Sequence, residues 1–273
     1  MLEESVVPVV HDPAAAPVAL EHVSVGYDGK AALVDVSLSV AAGERVAVVG
    51  PNGAGKTTLL KVISGILRPS RGTVRVYGHR PGGHICVAYV PQRSQVDWDF
   101  PARVSEIVMM GRVRQIGLFR WPRKADWHRV DQALERVDMR QYALRQISEL
   151  SGGQQQRVFL AQALAQEAEL ILLDEPLTGL DTPSQEAIFS LLDDLRRQGV
   201  PAIVSTHDLN LAAERFDRVA LLHRKLVAFG PPAAVLTREN LASGYGGHLH
   251  VLPDTDGVLV ITDTCCEGEE EAA

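Results

Sequence analysis

The chain has 273 residues, of which 46% are hydrophobic and 22% charged, and its formal net charge is −7. That length suits one large α/β domain or a domain with a subdomain. No apolar run approaches the ~18 residues that a membrane-spanning helix needs, and the acidic, Pro- and Ala-rich start is unlike a secretory signal. The three cysteines, Cys86, Cys265 and Cys266, are too few for a disulfide framework and suit a reducing cytoplasm.

The negative charge lies at the C-terminal end. Residues 251–273 contain seven acidic side chains and no Lys or Arg, which leaves 27 acidic and 27 basic side chains in residues 1–250. A neutral body gives no electrostatic reason to expect nucleic-acid binding. We interpret residues 246–273 as a solvated acidic tail and residues 1–17 as a disordered leader.

The region between them alternates strand and helix patterns. Two half-buried antiparallel strands, Val18–Tyr27 and Leu33–Val40, are predicted around a turn at residues 28–30. Residues 91–150 are helical in period and rich in Arg, and we interpret about 93–150 as a helical insertion. Alternation of apolar strands with amphipathic helices implies a mainly parallel sheet covered on both faces. The other predicted strands are Arg45–Val49, Gly72–Tyr77, Cys86–Val90, Glu169–Asp174, Ala202–Thr206, Val219–His223 and Lys225–Phe229, and the other helices are 153–166 and Thr182–Gln198.

The strongest motif is GPNGAGKTT at residues 50–58, which fits G-x-x-x-x-G-K-[ST] between an apolar strand and an apolar helix. Glycines let backbone N–H groups surround a polyphosphate, and the helix N-terminus adds positive charge. Lys56 can reach the β- and γ-phosphates, and the Thr57 hydroxyl can bind magnesium. The predicted nucleotide-binding residues of this loop are Gly50, Pro51, Asn52, Gly53, Ala54, Gly55, Lys56, Thr57 and Thr58.

Two further motifs suggest how a bound triphosphate is used. LILLDE places Asp174 and Glu175 at the end of an apolar strand, where one carboxylate can hold magnesium and the next can polarise an attacking water. LSGGQ opens a helix that Ser151 caps, and its N–H groups form a second anion site. A symmetric dimer could hold each nucleotide between the loop of one copy and the LSGGQ of the other. The residues expected at this second site are Ser151, Gly152, Gly153 and Gln154.

These motifs occur in the order found in the ATP-binding-cassette (ABC) ATPases, which the chain resembles over about residues 18–245. The resemblance implies an α/β P-loop NTPase core with an N-terminal antiparallel β subdomain and a helical subdomain. It implies that Tyr27 stacks on adenine, that Gln92 contacts magnesium, and that Asp181 lies in a loop crossing the dimer interface. It implies that Glu175 is the catalytic base and that His207 contacts the γ-phosphate. Tyr27 as a surface tyrosine and His207 as a structural histidine are the alternatives.

The same resemblance implies ATP and magnesium as cofactors, with Thr57, Gln92 and Asp174 as magnesium ligands. It also implies a peripheral position on the cytoplasmic face of the membrane. The expected partners are two membrane-spanning permease subunits, a second copy of the chain and an extracytoplasmic metal-binding protein, and no nucleic acid. Exporters share every catalytic motif, so the motifs leave the direction of transport open. Two other classes of function are the alternatives. One is a soluble ABC ATPase that acts on nucleic acid or ribosomes, and the other is a regulator that binds a nucleotide without hydrolysing it.

The helical insertion carries the evidence on the substrate. VPQRSQVDWDFP at residues 90–101 and VMMGR at 108–112 look like the manganese, zinc and chelated-iron branch of bacterial importers. We therefore expect a divalent transition metal ion, manganese ahead of zinc or iron. The insertion is also basic between Arg103 and Arg129. These side chains could contact acidic groups of a membrane subunit or anionic lipid, and a solvated helical face is the alternative. His248, His250, Cys265 and Cys266 are metal-ligand types, but their spacing does not match the usual zinc sites.

Overall fold

The structure is a computed structural model, and it describes residue 11 and residues 15–27, 29–82, 86–96, 98, 100–117, 120–245, 249–253 and 259–263. Several features predicted from the sequence lie outside the described residues. They are most of the leader, Asp28 of the first turn, Asp97 and Asp99 of the VDWDFP stretch, and His248, Cys265 and Cys266 of the tail.

A three-stranded antiparallel sheet forms the N-terminal part. Its strands are β1 (Val18–Tyr27), β2 (Lys30–Val40) and β4 (Arg71–Val76), in the order β2-β1-β4. Buried and exposed residues largely alternate along β2, as expected for strands with one face on a core. The predicted antiparallel subdomain is confirmed, although β2 begins at Lys30, before the predicted Leu33.

A six-stranded sheet forms the centre, in the order β5-β6-β7-β3-β8-β9. All neighbouring pairs are parallel except β8 and β9, which are antiparallel at the edge. The predicted mainly parallel sheet is therefore confirmed. The strands are β3 (Arg45–Val49), β5 (Val87–Val90), β6 (Leu170–Asp174), β7 (Ala202–Ser205), β8 (Arg218–His223) and β9 (Lys225–Gly230).

Each face of this sheet is covered by its own apolar core. Alternate residues of β3 belong to different cores: Val46 and Val48 pack with α1 (Lys56–Ile63) and the antiparallel sheet, whereas Ala47 and Val49 face the other side. Burial on both faces explains the uninterrupted apolar runs of the central strands. The second core also takes in the helical insertion, whose α-helices are α2 (Val104–Met110), α3 (Val113–Ile116) and α4 (Lys124–Arg136).

The remaining helices flank the central sheet. They are α5 (Gly152–Ala165), α6 (Thr182–Arg197), α7 (Leu209–Arg215), α8 (Pro232–Val235) and α9 (Arg238–Tyr245). Beyond them, β10 (Leu249–Pro253) and β11 (Leu259–Asp263) pair antiparallel within residues 246–273, a segment whose sequence predicts a solvated tail and no strand pair. Among the described residues, no helix is long and apolar enough to cross a membrane.

Candidate functional site

The carboxyl ends of β3, β6 and β7 open into a cavity of about 970 Å³. Ligands of open α/β sheets bind at this edge, because loops from several strands converge there. The cavity brings together predicted residues that lie far apart in the sequence: the loop of residues 50–58, Tyr27, Gln92, Glu175 and His207. The other residues lining it are Ala32, Asp208, Leu209, Asn210 and Tyr245.

Two glycines allow the loop of residues 50–58 to fold closely against the rest of the chain. Gly50 has a φ of 152°, and a Cβ there would lie 2.1 Å from the carbonyl oxygen of Leu222. Gly55 has a φ of 99°, and its Cβ would lie 2.6 Å from the carbonyl oxygen of Ala32. Any side chain at either position would collide with backbone, so only glycine gives this loop shape.

Lys56 begins α1 and places its ammonium group inside the loop. Its Nζ donates to the carbonyl oxygens of Gly50 and Pro51, at 2.7 and 3.3 Å, and lies 3.9 Å from Glu175 Oε1. Only 6% of the residue is exposed. Burial lowers the pKa of Lys56, while the negative charges of Glu175 and Asp174 act in the opposite direction. A buried cation at the start of a helix suits a polyphosphate.

A hydrogen-bonded network fixes the two acids that follow β6. The Ser205 hydroxyl donates to Asp174 Oδ1 at 2.6 Å and accepts the Glu175 N–H at 2.9 Å. The Tyr89 hydroxyl donates to Asp174 Oδ2 at 3.3 Å, and burial raises the pKa of Tyr89, followed by the effect of the Asp174 charge. Asp174 is 1% exposed. This buried carboxylate is therefore held in one orientation by two hydroxyl donors.

Glu175 adopts a conformation that is uncommon for a residue with a side chain. Its φ is 48°, in the left-handed region. The Gln92 amide donates to Glu175 Oε2 at 3.0 Å, on the cavity side. Strained backbone of this kind persists where its surroundings hold it, here through the bond to Ser205. The carboxylate is consequently positioned beside both Lys56 and Gln92.

The LSGGQ residues lie outside this cavity. Ser151 caps α5: the Gln154 N–H donates to Ser151 Oγ at 3.4 Å, and the Ser151 N–H donates to Gln154 Oε1 at 2.9 Å. Gly153 packs tightly on α6, since a Cβ there would lie 2.7 Å from Ser184 Oγ. Ser151, Gly152, Gly153 and Gln154 are thus kept together as a helix N-terminus, but a single copy does not bring them to Lys56.

Asp181 also lies outside the cavity, at the start of α6. Its Oδ1 accepts the Ser184 N–H at 3.2 Å, which makes it the N-cap of that helix. Hydrogen bonds from Ser184, chiefly from its side chain, lower the pKa of Asp181. Asp181 is exposed and lies three positions before Ser184, the residue against which Gly153 packs.

Sequence reasoning missed several polar groups around the cavity. Ser205 could have been found, because it ends the strand next to β6 and the carboxyl ends of parallel strands meet at one edge. Tyr89 gave no such signal, since a tyrosine in a buried strand usually indicates packing. Asn210 and Tyr245 belong to α7 and α9, which the sequence analysis did not delimit.

Comparison with known proteins identifies the family. A family model described as ABC transporter matches residues 33–178, more than half of the chain. The chain belongs to the ABC transporter family. It is an ABC transporter ATPase, which binds ATP and hydrolyses it for transport. As the ATP-binding subunit, this ABC ATPase is part of a transporter complex that includes membrane subunits.

Two relatives of this ABC ATPase are similar over most of their length. The manganese transport system ATP-binding protein MntB of Bacillus subtilis is 47% identical over 239 residues, which cover 87% of this chain and 96% of the relative. The zinc transport system ATP-binding protein TroB of Treponema pallidum is 46% identical over 237 residues, 86% of this chain and 89% of the relative.

A solved structure has the same architecture. It is an inward-facing conformation of a protein assigned as a metal-chelate type ABC transporter, and it superposes with a TM-score of 0.77 at 30% identity. The match covers 90% of this chain and 97% of the other. The predicted ABC ATPase fold is therefore confirmed.

Proposed function

We propose that this ABC ATPase energises the import of a divalent transition metal ion, with manganese as the first candidate and zinc or iron next. The observation that carries the proposal is the 47% identity to a manganese transport ATPase over nearly its whole length. The zinc transport relative, at 46%, keeps zinc as the second candidate. The VDWDFP stretch of the helical insertion supports the same group of substrates from within the sequence.

Uptake measurements test the substrate. Cells that lack this chain, with the gene restored or replaced by Glu175→Gln, are given manganese, zinc and iron in separate assays. We expect manganese uptake to be lost without the chain, restored by the unaltered gene and not by Glu175→Gln. Loss of zinc or iron uptake alone would reassign the metal, and normal uptake of all three would refute the proposal.

We further propose the roles of the cavity residues. ATP bound by the loop of residues 50–58 stacks its adenine on Tyr27 and places its β- and γ-phosphates at Lys56. Glu175 orients the attacking water, and His207 donates a hydrogen bond to the γ-phosphate. The support is that all four groups line one cavity, with the Lys56 ammonium 3.9 Å from the Glu175 carboxylate.

Magnesium suits the neighbourhood of the cavity, because Thr57 and Gln92 line it and bear oxygen atoms, the ligands that magnesium prefers. Asp174 is 1% exposed and does not line the cavity, but it directly precedes the lining residue Glu175. We propose that these residues hold the ion, which when bound offsets phosphate charge. Asp174 is suited to this role because Ser205 and Tyr89 hold its carboxylate fixed.

Because residues 151–154 lie outside the cavity, we propose that they act on the nucleotide of a second copy. In that arrangement, ATP joins the loop of one copy to Ser151 and Gly153 of the other, with Asp181 at the interface. Hydrolysis removes the γ-phosphate that joins them, and the copies separate. The helix N-terminus capped by Ser151 supports this, since it presents backbone N–H groups to an anion.

Two substitutions test the site in the purified chain. Glu175→Gln should keep ATP affinity within about twofold and lower turnover at least ~100-fold, as expected for loss of a general base. Lys56→Ala should weaken ATP binding. Glu169→Gln is the matched control, because Glu169 lies at the opposite end of β6 and is half exposed. Near-normal turnover in Glu175→Gln would refute the assigned base.

The helical insertion of this chain has a surface on which a membrane subunit could dock. A groove of about 420 Å³ is lined mostly by apolar side chains, with Glu106 and Arg120 as its charged residues, and its lining residue Trp121 is 89% exposed. Exposed aromatic side chains of this kind anchor protein interfaces. We propose that this groove receives a membrane subunit and that an extracytoplasmic metal-binding protein delivers the ion. The apolar residues of the groove are Met109, Met110, Val113, Ile116, Trp121 and Trp127.

A further inference from the structure

Arg93 connects the cavity to the LSGGQ helix within one copy of the chain. It directly follows Gln92, whose amide donates to Glu175 Oε2 at 3.0 Å. Its own Nη2 donates to Gln155 Oε1 at 3.0 Å, in the first turn of α5. Two adjacent residues therefore contact the proposed catalytic base on one side and the helix that carries residues 151–154 on the other.

The guanidinium of Arg93 also fits against Gly152. A Cβ at position 152 would lie 2.5 Å from Arg93 Nη1 and 2.8 Å from Cζ, so the guanidinium occupies the space that a side chain would need. Gln155 is 4% exposed and donates from its own amide to the Ile147 carbonyl oxygen at 3.1 Å. The partner of Arg93 is therefore itself fixed in place.

Trp98 contacts Arg93 and links it to Phe159 of α5. The Trp98 indole N–H donates to the Arg93 carbonyl oxygen at 2.9 Å, and the guanidinium carbon lies 5.7 Å from the Trp98 ring centroid. Trp98 in turn packs edge-on against Phe159 of α5, with 5.2 Å between the ring centroids. Arg93 is consequently attached to α5 both through its own hydrogen bond and through Trp98.

Helix stability alone does not explain this contact. A cation at a helix N-terminus is disfavoured by the helix dipole, and the cap is already complete through Ser151 and Gln154. The hydrogen bond to Gln155 and the contact with Trp98 offset that cost. What the contact adds is a fixed spacing between residues 92–93 and residues 151–155.

We infer that Arg93 is a positioning residue that sets the place of Ser151–Gln154 relative to Gln92 and Glu175. A shift of residues 92–93 would then move the LSGGQ residues, and their fit to the nucleotide of a second copy would change with it. The inference rests on the proposed site. It adds that the proposed catalytic base and the LSGGQ motif of one chain are joined through the adjacent residues Gln92 and Arg93.

Turnover and ATP affinity of the purified full chain test this inference. Arg93→Ala should lower kcat about tenfold and leave the Kd for ATP within about twofold, because Arg93 does not line the ATP cavity. Arg93→Lys keeps the charge and one donor and should recover part of kcat. Arg145→Ala is the matched control: its guanidinium lies 5.0 Å from the Tyr142 ring, in the same insertion.

A double substitution separates positioning from general stability. Gln155→Ala should lower kcat, and Arg93→Ala with Gln155→Ala should lower it no further than Arg93→Ala alone, because both remove one contact. Multiplied losses in the double variant, or an unchanged kcat in folded Arg93→Ala, would overturn the inference. Normal turnover in Glu175→Gln would instead refute the proposed site, whatever the Arg93 variants do.

Discussion

At the scale of single residues, two opposing effects act on the pKa of Lys56 in the cavity. Burial lowers the pKa of Lys56, and the neighbouring carboxylates of Glu175 and Asp174 oppose that effect. A triphosphate placed at Lys56 would add more negative charge and raise this pKa. Binding and protonation are therefore coupled through one side chain.

The coupling predicts how ATP affinity depends on pH. At pH values in the window between the Lys56 pKa of the unliganded chain and the higher Lys56 pKa of the complex, Lys56 is protonated in the complex and neutral in the unliganded chain. Binding therefore weakens as the pH rises through that window, by up to about tenfold in Kd per pH unit. Equilibrium binding of a non-hydrolysable ATP analogue between about pH 7 and about pH 10 measures the effect.

Two variants show whether Lys56 is responsible. Lys56→Met should bind weakly with little dependence on pH over that range. Lys61→Met, which removes a partly exposed lysine of the same helix, should retain the dependence of the unaltered chain. An equally steep rise in Kd for Lys56→Met would assign the titration to another group.

Residues that follow a local pattern were predictable, and those defined by a distant contact were not. The loop of residues 50–58 has its own spacing, and Asp174 and Glu175 end an apolar strand. Ser205 lies at the site because β7 pairs with β6, which places Ser205 opposite Asp174. The contact between Arg93 and Gly152 joins positions far apart in the chain and leaves no periodic trace in the sequence.

At the scale of elements, Arg112 joins the helices of the insertion. It follows α2, and its Nη1 donates to Glu167 Oε2 at 2.6 Å and to the Ala165 carbonyl oxygen at 3.0 Å, at the end of α5. Its Nη2 lies 3.4 Å from Asp126 Oδ1 of α4. Two helices of the insertion and the end of α5 thus meet at one guanidinium.

Arg112→Ala should therefore destabilise the chain. Asp126 is largely buried and would lose its charged partner while keeping the hydrogen bond from the Arg123 N–H, but Glu167 is 48% exposed and would be solvated. We expect the free energy of unfolding to fall by about 2–3 kcal/mol, less than for a fully buried pair. Urea denaturation measures it, with Arg140→Ala as control: that residue pairs with Glu135 on the surface, and its loss should cost under ~0.5 kcal/mol. If Arg112→Ala and Arg140→Ala lowered the free energy of unfolding equally, the role of Arg112 would be contradicted.

Element type was predictable to different degrees along the chain. The central strands are apolar on both faces and short, so their bounds agree with the structure within about two residues. The insertion was predicted only as a helical region. Its helices are short. Glu106 and Asp126 accept the N-cap N–H groups at the starts of α2 and α4, whereas the bond from Arg112 to the Ala165 carbonyl oxygen joins distant positions and leaves no local signal.

At the scale of the whole molecule, the cavity and the apolar groove are distinct surfaces. The cavity lies at the carboxyl edge of the central sheet, whereas the groove lies on the helical insertion. They share no lining residue. A substitution in the groove can therefore separate assembly with membrane subunits from ATP hydrolysis by the chain itself.

Trp121→Ala makes that separation testable. The Trp121 side chain is 89% exposed on the chain alone, so its loss should not alter ATP turnover by the purified chain. In cells, the membrane-bound fraction of the chain should fall, because tryptophan is enriched among the interface residues whose truncation costs ~2 kcal/mol of binding or more. Leu144→Ala is the matched control, since Leu144 is 76% exposed in the same insertion but outside the groove. If both variants remained membrane-bound to the same extent, the membrane subunit would contact another face of the ATPase.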